Sequence, residues 1–159
     1  MNSNNNMPRF IAGATIAVRF KGFDLTVLLQ GATGARVYLG VESGDIGNYY
    51  EAFAANRWTP ENTTSSYPRA WNRDNEYWRS QQNTFWLINM NYVRLKNLEL
   101  GYTLPSSVNK TLGIEGLRFY VNGNNLLTLA KQKFIDPELQ AGTDYPLQRI
   151  VTGGLTLTF

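Results

Sequence analysis

The 159-residue sequence predicts an all-β fold built as an antiparallel meander of about five strands. Apolar and polar residues alternate over several segments, which is the period of a strand with two different faces. The composition agrees, because 13% of the residues are aromatic and 14 are glycine, and these favour strands and turns respectively. We predict strands at about 9–20, 23–33, 85–104, 117–130 and 150–159.

The first two predicted strands form a hairpin. Apolar residues occupy every second position from Phe10 to Phe20, and the alternation continues after Phe23. Between them, Lys21-Gly22 predicts a tight turn, because glycine readily adopts positive φ. A strand from Phe10 to Phe20 is about 33 Å long, or roughly 25 Å high at a tilt of about 40°. That height fits the apolar band of an outer-membrane barrel, although a β-sandwich hairpin would show the same alternation.

The segment 91–105 carries the strongest strand pattern. Val93 and Leu95 share one phase of the alternation, and the apolar residues from Leu98 onward share the other. One extra residue near Lys96-Asn97 would form a bulge and return both sets to the same face. A single strand that starts near Phe85 and ends at Pro105 would be about twenty residues long, far longer than the usual five or six. Such length is typical of tilted strands in a membrane barrel.

Two smaller features follow in the chain. Residues 105–116 are predicted to form a short helical turn, with Ser106 or Ser107 as its N-cap and Gly113 as its C-cap. A second strand irregularity is expected at Asn124-Asn125, where two asparagines interrupt the alternation.

Residues 34–83 show no sustained period, yet they hold nine of the chain's 21 aromatic residues. Loops beyond about 15 residues are uncommon and are usually functional or disordered, and this many aromatic residues argues against disorder. We predict one long, ordered loop whose aromatic side chains meet a ligand or partner, with packing of the loop on itself as the alternative. The candidate contact residues are Tyr49, Tyr50, Trp58, Trp71, Tyr77 and Trp78.

The composition also excludes several functions. The chain has no Cys and no His, so it cannot build a Cys/His zinc site, a Cys nucleophile or a Ser-His-Asp triad. The net charge of +3 is spread along the chain, whereas nucleic-acid binding requires a basic cluster.

The acidic residues predict neither a catalytic site nor a metal site. A glycosidase needs a placed pair of carboxylates, and nothing in the sequence pairs Asp24 with Glu99. Calcium binds carboxylate oxygens, but Asp136, Glu138 and Asp144 match no calcium motif and predict a solvated loop. We therefore expect no catalytic residue, metal or cofactor.

One family pattern runs through several stretches of the chain. The clearest is YVRLKNLELGYTLP, followed by LGIEGLRFYVNGNNLLTL, then DPEL and a final LTF, with KGFDLTVLLQG and RWTPEN…YPRA upstream. Together they resemble the C-terminal end of SusC/RagA-type TonB-dependent outer-membrane transporters. The resemblance implies that the chain is the last part of a transmembrane barrel of about 22 strands. The plug domain and signal peptide would then lie outside this sequence.

The resemblance also implies a function and a set of partners. Such transporters import glycans or peptides beneath a SusD-like surface lipoprotein that acts as a lid, and a TonB complex contacts their missing N-terminal region. The implied location is the outer membrane of a Gram-negative, Bacteroidetes-like bacterium. The connections alternate between short and long, which is the asymmetry of outer-membrane barrels. In such barrels the longer connections are extracellular, so residues 34–83 and 131–149 would lie outside the cell. The aromatic candidates would there contact substrate or lid.

The end of the chain resembles an assembly signal. Leu155, Leu157 and Phe159 share one face of the last strand, and a terminal strand that ends on an aromatic residue resembles the signal read by the barrel assembly machinery.

The main rival interpretation is an extracellular β-sandwich that binds carbohydrate. A sandwich buries one face of each sheet in its own core, whereas a barrel wall turns its most apolar face to lipid. The barrel interpretation places Arg19, Asp24, Gln30 and Arg118 on the opposite face from one apolar band. That band is made of Phe10, Ala12, Ala14, Ile16, Val18, Phe20, Phe23, Leu25, Val27, Leu29, Leu98, Leu100, Tyr102, Leu117, Phe119, Val121, Leu155, Leu157 and Phe159.

Overall fold

The structure, a computed structural model, describes residues 5–38, 51–69, 84–85, 87–133, 135–139 and 144–159. None of the helices in this part of the chain is long and apolar enough to cross a membrane. The elements in chain order are β1 (Phe10–Phe20), β2 (Phe23–Thr33), β3 (Arg36–Tyr38), α1 (Glu51–Asn56), β4 (Leu87–Asn89), β5 (Tyr92–Thr103), α2 (Ser106–Leu112), β6 (Gly116–Ala130) and β7 (Ile150–Thr158).

Five of these strands form one antiparallel sheet in the order β1-β2-β5-β6-β7. The strands of this sheet are 9 to 15 residues long. A transmembrane β-strand needs roughly 9–11 residues, so each strand is long enough to cross a membrane. The predicted fold class, an all-β antiparallel meander consistent with a barrel segment, is confirmed.

The chain divides into two compact units. One comprises Arg9–Thr33, Asn91–Ala130 and Leu147–Phe159, which contain the five-stranded sheet. The other comprises Met1–Pro8, Gly34–Met90 and Lys131–Pro146 and contains the two-stranded sheet of β3 and β4.

A small apolar core lies in the second unit. Ala35, Val37 and Met90 are buried there, with Ile88 and Ile135 packed against them. The predicted loop at 34–83 therefore includes regular structure, since β3 and α1 lie within its described residues.

The tight turn between β1 and β2 is confirmed at Lys21-Gly22. Both residues have positive φ, 48° and 87°, as the hairpin turn that matches strand twist requires. The turn sets Phe20 directly opposite Phe23.

Both predicted strand irregularities are also present. The pairing of β5 shifts between Leu95 and Asn97, so Lys96 is the extra residue of a bulge. In β6 the pairing passes from Asn124 to Leu127, and Asn125 has a φ of 52°. The β5 bulge inserts one residue and changes the phase of the alternation, so Leu95 and Leu98 share one face. The β6 irregularity leaves two residues, Asn125 and Leu126, unpaired, so the phase is the same on its two sides.

The single strand predicted at 85–104 is instead two strands. β4 ends at Asn89 and β5 begins at Tyr92. Met90 between them is only 2% exposed, and its N–H donates to the Ala35 carbonyl at 3.0 Å. The strand is interrupted here because Met90 belongs to the apolar core of the second unit.

The predicted N-cap of α2 is wrong. Pro105, with φ −58° and ψ 147°, holds the N-cap position, and its carbonyl accepts from the N–H groups of Val108 and Asn109. The helix thus begins at Ser106, and no side chain caps it. The predicted C-cap is confirmed, because Gly113 is left-handed with φ 69°.

The register gathers the predicted apolar residues on one face. The row nearest the Lys21-Gly22 turn runs across all five strands as Phe20, Phe23, Tyr102, Phe119 and Leu155. The next rows are Val18, Leu25, Leu100, Val121 and Gly153, then Ile16, Val27, Leu98, Gly123 and Val151.

This apolar face is exposed rather than packed in a core. Phe20 is 67% exposed at one edge strand and Leu155 is 63% exposed at the other, and Leu100 on the central strand is 51% exposed. A β-sandwich would bury such a face. The exposure therefore contradicts the sandwich interpretation and fits a surface that faces lipid.

Candidate functional site

Polar side chains gather on the opposite face of the sheet, because side chains alternate along each strand. Its first row, next to the turn, is Arg19, Asp24, Gly101, Tyr120 and Gly154. The following rows are Ala17, Thr26, Glu99, Asn122 and Thr152, then Thr15, Leu28, Asn97, Asn124 and Ile150.

Arg118 joins three strands on this face. Its Nε donates to Asp24 Oδ1 at 3.0 Å and its Nη2 to Asp24 Oδ2 at 2.5 Å. This bidentate geometry is the strong form of an arginine–carboxylate pair. Nη2 also donates to Glu99 Oε1 at 2.8 Å. One guanidinium thus links β6 to β5 and, beyond it, to β2.

The absence of a side chain at Gly101 allows Arg118 of β6 to reach Asp24 of β2. Arg118 must cross β5 to meet Asp24, and Gly101 lies on β5 directly opposite Asp24. A Cβ at Gly101 would lie 2.6 Å from both carboxylate oxygens of Asp24. Any larger residue at this position would therefore push the ion pair apart.

Asparagines extend the bonded chain along the strands. Asn122 Nδ2 donates to Glu99 Oε2 at 3.1 Å. Asn97 Nδ2 donates to the side-chain oxygens of Asn122 and Asn124, at 3.3 and 3.0 Å. Asn124 Nδ2 donates to Asn122 Oδ1 at 3.1 Å. We call the connected set the polar ladder, which comprises Asp24, Asn97, Glu99, Arg118, Asn122 and Asn124.

The polar ladder is only partly shielded. The side chains of Arg118, Asp24 and Glu99 are 27%, 21% and 30% exposed, so they line a surface that water or a ligand can reach. Both carboxylates are bonded to the same guanidinium. Neither stands free as the proton donor or nucleophile that a glycosidase requires.

Sequence alone did not predict that Asp24 and Glu99 share one partner. The Lys21-Gly22 turn and the bulge at Lys96 do place both on the polar face. The predicted meander makes β2 and the strand after it neighbours, but it does not give the register that sets Asp24 opposite Gly101 and Thr26 opposite Glu99. The structure supplies that register and brings both acids to Arg118.

Aromatic rings cluster on the apolar face at the turn end of the sheet. The rings of Phe23 and Tyr102 lie 4.5 Å apart with a tilt of 41°. Lys21 Nζ lies 5.2 Å from the centre of the Phe20 ring, and Phe119 is the next residue in the row. Rings in this position match the aromatic girdle at the rim of a membrane barrel.

Five of the six predicted contact residues lie in segments that the structure does not describe. These are Tyr49, Tyr50, Trp71, Tyr77 and Trp78.

Trp58 is the candidate that the structure does describe. It is 36% exposed, and its backbone N–H donates to the Tyr67 carbonyl at 3.2 Å. The ring of Tyr67 meets Phe85 edge-on at 6.3 Å. Trp58 is therefore held by backbone bonding while its side chain remains partly accessible.

The predicted assembly-signal residues lie on or just beyond the edge strand β7. Leu155 and Leu157 are 63% and 39% exposed on the apolar face, and Phe159, which follows the strand, is 85% exposed. Within the described sheet, β7 pairs on one side with β6. Its other edge is therefore available for pairing.

Comparison with known proteins identifies relatives. No family model matches the chain. TonB-dependent receptor P3 of Formosa agariphila is 31% identical over an alignment of 169 residues, covering 96% of this chain and 16% of the receptor. TonB-dependent receptor P26 of the same organism is 30% identical over 173 residues, covering 96% of this chain and 17% of the receptor. The chain spans about one sixth of the length of these relatives.

Solved structures give the same result. The RagAB peptide importer in its open-open state is 28% identical, with a TM-score of 0.72, and covers 96% of this chain and 17% of the solved chain. The closed-closed state gives a TM-score of 0.74 at the same identity and coverage. The chain is therefore a homologue of TonB-dependent receptors, and the SusC/RagA resemblance in its sequence is confirmed.

Proposed function

We propose that this chain forms part of the barrel wall of a SusC-like TonB-dependent transporter in the outer membrane. One observation carries the proposal: a single sheet exposes apolar side chains on one face and holds the polar ladder on the other. In an outer-membrane barrel these faces meet lipid and lumen respectively. The relatives are receptors and transporters, and we propose no enzymatic role.

The substrate class proposed is glycans or peptides. Peptide import is supported by the likeness to the RagAB peptide importer, and glycan import by the wider SusC resemblance. That likeness also supports a SusD-like surface lipoprotein as the partner. The other proposed partners are the TonB complex, the barrel assembly machinery and outer-membrane lipid, in a Bacteroidetes-like bacterium.

Uptake by the full-length protein that contains this chain tests the proposal. Labelled oligosaccharides and labelled oligopeptides are supplied to cells with and without TonB. We expect uptake of one of these two classes, and we expect it to be lost without TonB. Uptake of neither class, or equal uptake in both strains, would contradict the proposed function.

The long connection at 34–83 is proposed to lie outside the cell and to contact substrate or lid. The exposed Trp58 supports this role, because Trp and Tyr supply large contact area at low entropic cost. Shortening residues 45–80 in the full-length transporter should leave the amount of assembled barrel unchanged and lower substrate uptake or lipoprotein co-purification severalfold. Wild-type values for both would show that the loop only packs on itself.

Phe159 is proposed to act in assembly rather than in transport. Phe159→Asp in the full-length protein should reduce the heat-modifiable, assembled form severalfold, because a charge replaces an exposed aromatic residue beside the apolar face. Phe159→Tyr is the matched control and should assemble normally. The idea fails if Phe159→Asp reaches wild-type levels in the outer membrane.

A further inference from the structure

Tyr120 lies between two glycines on the polar face. It is directly opposite Gly101 of β5 and Gly154 of β7. The Asp24–Arg118 ion pair fills the space above Gly101. The Tyr120 ring lies over Gly154 instead, where an added Cβ would be 2.5 Å from the ring's Cζ and hydroxyl oxygen.

The polar ladder also contacts this ring. The Arg118 guanidinium lies 5.2 Å from the centre of the Tyr120 ring, within the range of a cation–π contact. The ring thus contacts both a cation that is bonded to two carboxylates and a strand position without a side chain.

Gly154 is the one position on this face of β7 without a Cβ. The face comprises Ile150, Thr152, Gly154, Thr156 and Thr158. Glycine weakens the interior of a strand, and an aromatic ring that covers it from the neighbouring strand compensates for that weakness. Among these five positions, Gly154 alone therefore leaves room for a β6 ring to lie over the β7 backbone.

This matters because the alternation of β7 does not fix its register completely. A slip of one residue would turn every apolar side chain to the polar face, so the alternation prevents it. A slip of two residues keeps each side chain on its own face. It would, however, bring Thr152 or Thr156 beneath the Tyr120 ring, in place of Gly154.

We propose that Tyr120 and Gly154 form a register lock, which selects the native pairing of β7 with β6 during barrel assembly. The proposal deepens the proposed function and rests on it, since it concerns assembly of a barrel wall. Tyr120 and Gly154 are positioning residues and not substrate contacts.

Cysteine pairs on the apolar face can report the register, because the chain has no Cys of its own. Leu117 and Leu157 are directly opposite in the native register, so Leu117→Cys with Leu157→Cys reports native pairing. Leu117→Cys with Leu155→Cys, and Phe119→Cys with Leu157→Cys, report the two slips. In the native register each of these pairs is offset by two residues, which separates the Cα atoms by about 8 Å. That distance is beyond the reach of a disulfide.

The test compares two neighbouring glycines in the full-length protein in its outer membrane. Gly154→Ala places a Cβ against the Tyr120 ring. Gly153→Ala is the matched control, because its Cβ would point to the apolar face and its nearest neighbour would be the Tyr120 carbonyl oxygen at 3.9 Å. We expect Gly153→Ala to behave as wild type. We expect Gly154→Ala to lose native-pair cross-linking severalfold, and either slipped-pair cross-links or unassembled protein should take its place.

A second variant separates the clash from a general failure to fold. Tyr120→Ala removes the ring, so Gly154→Ala should add no further loss of assembly in the Tyr120→Ala background. Equal cross-linking in the Gly154→Ala and Gly153→Ala proteins would overturn the register lock. So would a Gly154→Ala defect that stays undiminished once the ring is absent. If the unmodified protein itself fails to reach the outer membrane, the proposed function fails instead.

Discussion

Replacing Arg118 with leucine is expected to reduce the assembled fraction of the full-length protein at least severalfold. Arg118 is the cation that binds both Asp24 and Glu99. Without it, two partly shielded carboxylates on neighbouring strands lose their charge-assisted bonds and repel each other. The links of β6 to β5 and β2 through this guanidinium are lost at the same time. Heat-modifiability on gels measures the assembled fraction.

Neutralising the acids shows whether charge is the cause. The triple variant Asp24→Asn, Glu99→Gln and Arg118→Leu removes the repulsion and leaves amides that can bond to one another. It should recover a large part of the assembly lost in Arg118→Leu. An Arg118→Leu protein that assembles as well as wild type would show that the polar ladder is a passive surface feature.

Placing an arginine at Ile16 is expected to have the second large effect. Ile16 is in the middle of β1, on the apolar face, and is 51% exposed. If that face meets the centre of the bilayer, Ile16→Arg costs about 2–4 kcal/mol. The assembled fraction should fall sharply, as measured by the same heat-modifiability assay.

Thr15→Arg is the matched control for this variant. Thr15 is the neighbouring residue in β1 and lies opposite Leu28 on the polar face. A substitution on the lumen side of a barrel costs much less than one on the lipid side. We therefore expect Thr15→Arg to assemble close to wild type, and equal losses for both variants would be inconsistent with a lipid-facing Ile16.

The local features of this fold were predictable from the sequence. The Lys21-Gly22 turn, the bulge at Lys96 and the C-cap at Gly113 each depend on residues adjacent in the chain. The apolar face was predictable for the same reason, because alternation is local and its phase change marks the bulge at Lys96. The N-cap of α2 was missed because Pro105 takes that position with backbone bonds alone, whereas the prediction relied on serine side chains.

Features that depend on distant partners were not predictable. The break at Met90 depends on a bond to Ala35, and the polar ladder depends on the register in which β2, β5 and β6 pair. Alternation places Asp24, Glu99 and Arg118 on one face, but it does not say which rows they occupy. The roles of Gly101 and Gly154 were not predictable for the same reason. Each glycine makes room for a side chain that belongs to another strand.

Accessibility of spin labels at adjacent positions tests the lipid-facing sheet most directly. Single labels are attached at Ile16→Cys and Ala17→Cys in the full-length protein, reconstituted in a bilayer, because these neighbours lie on opposite faces and are both exposed. Relaxation is measured with oxygen, which concentrates in lipid, and with a water-soluble nickel complex. We predict that oxygen dominates at Ile16 and the nickel complex at Ala17. The same ratio at both positions, or the reverse order, would contradict the barrel-wall assignment.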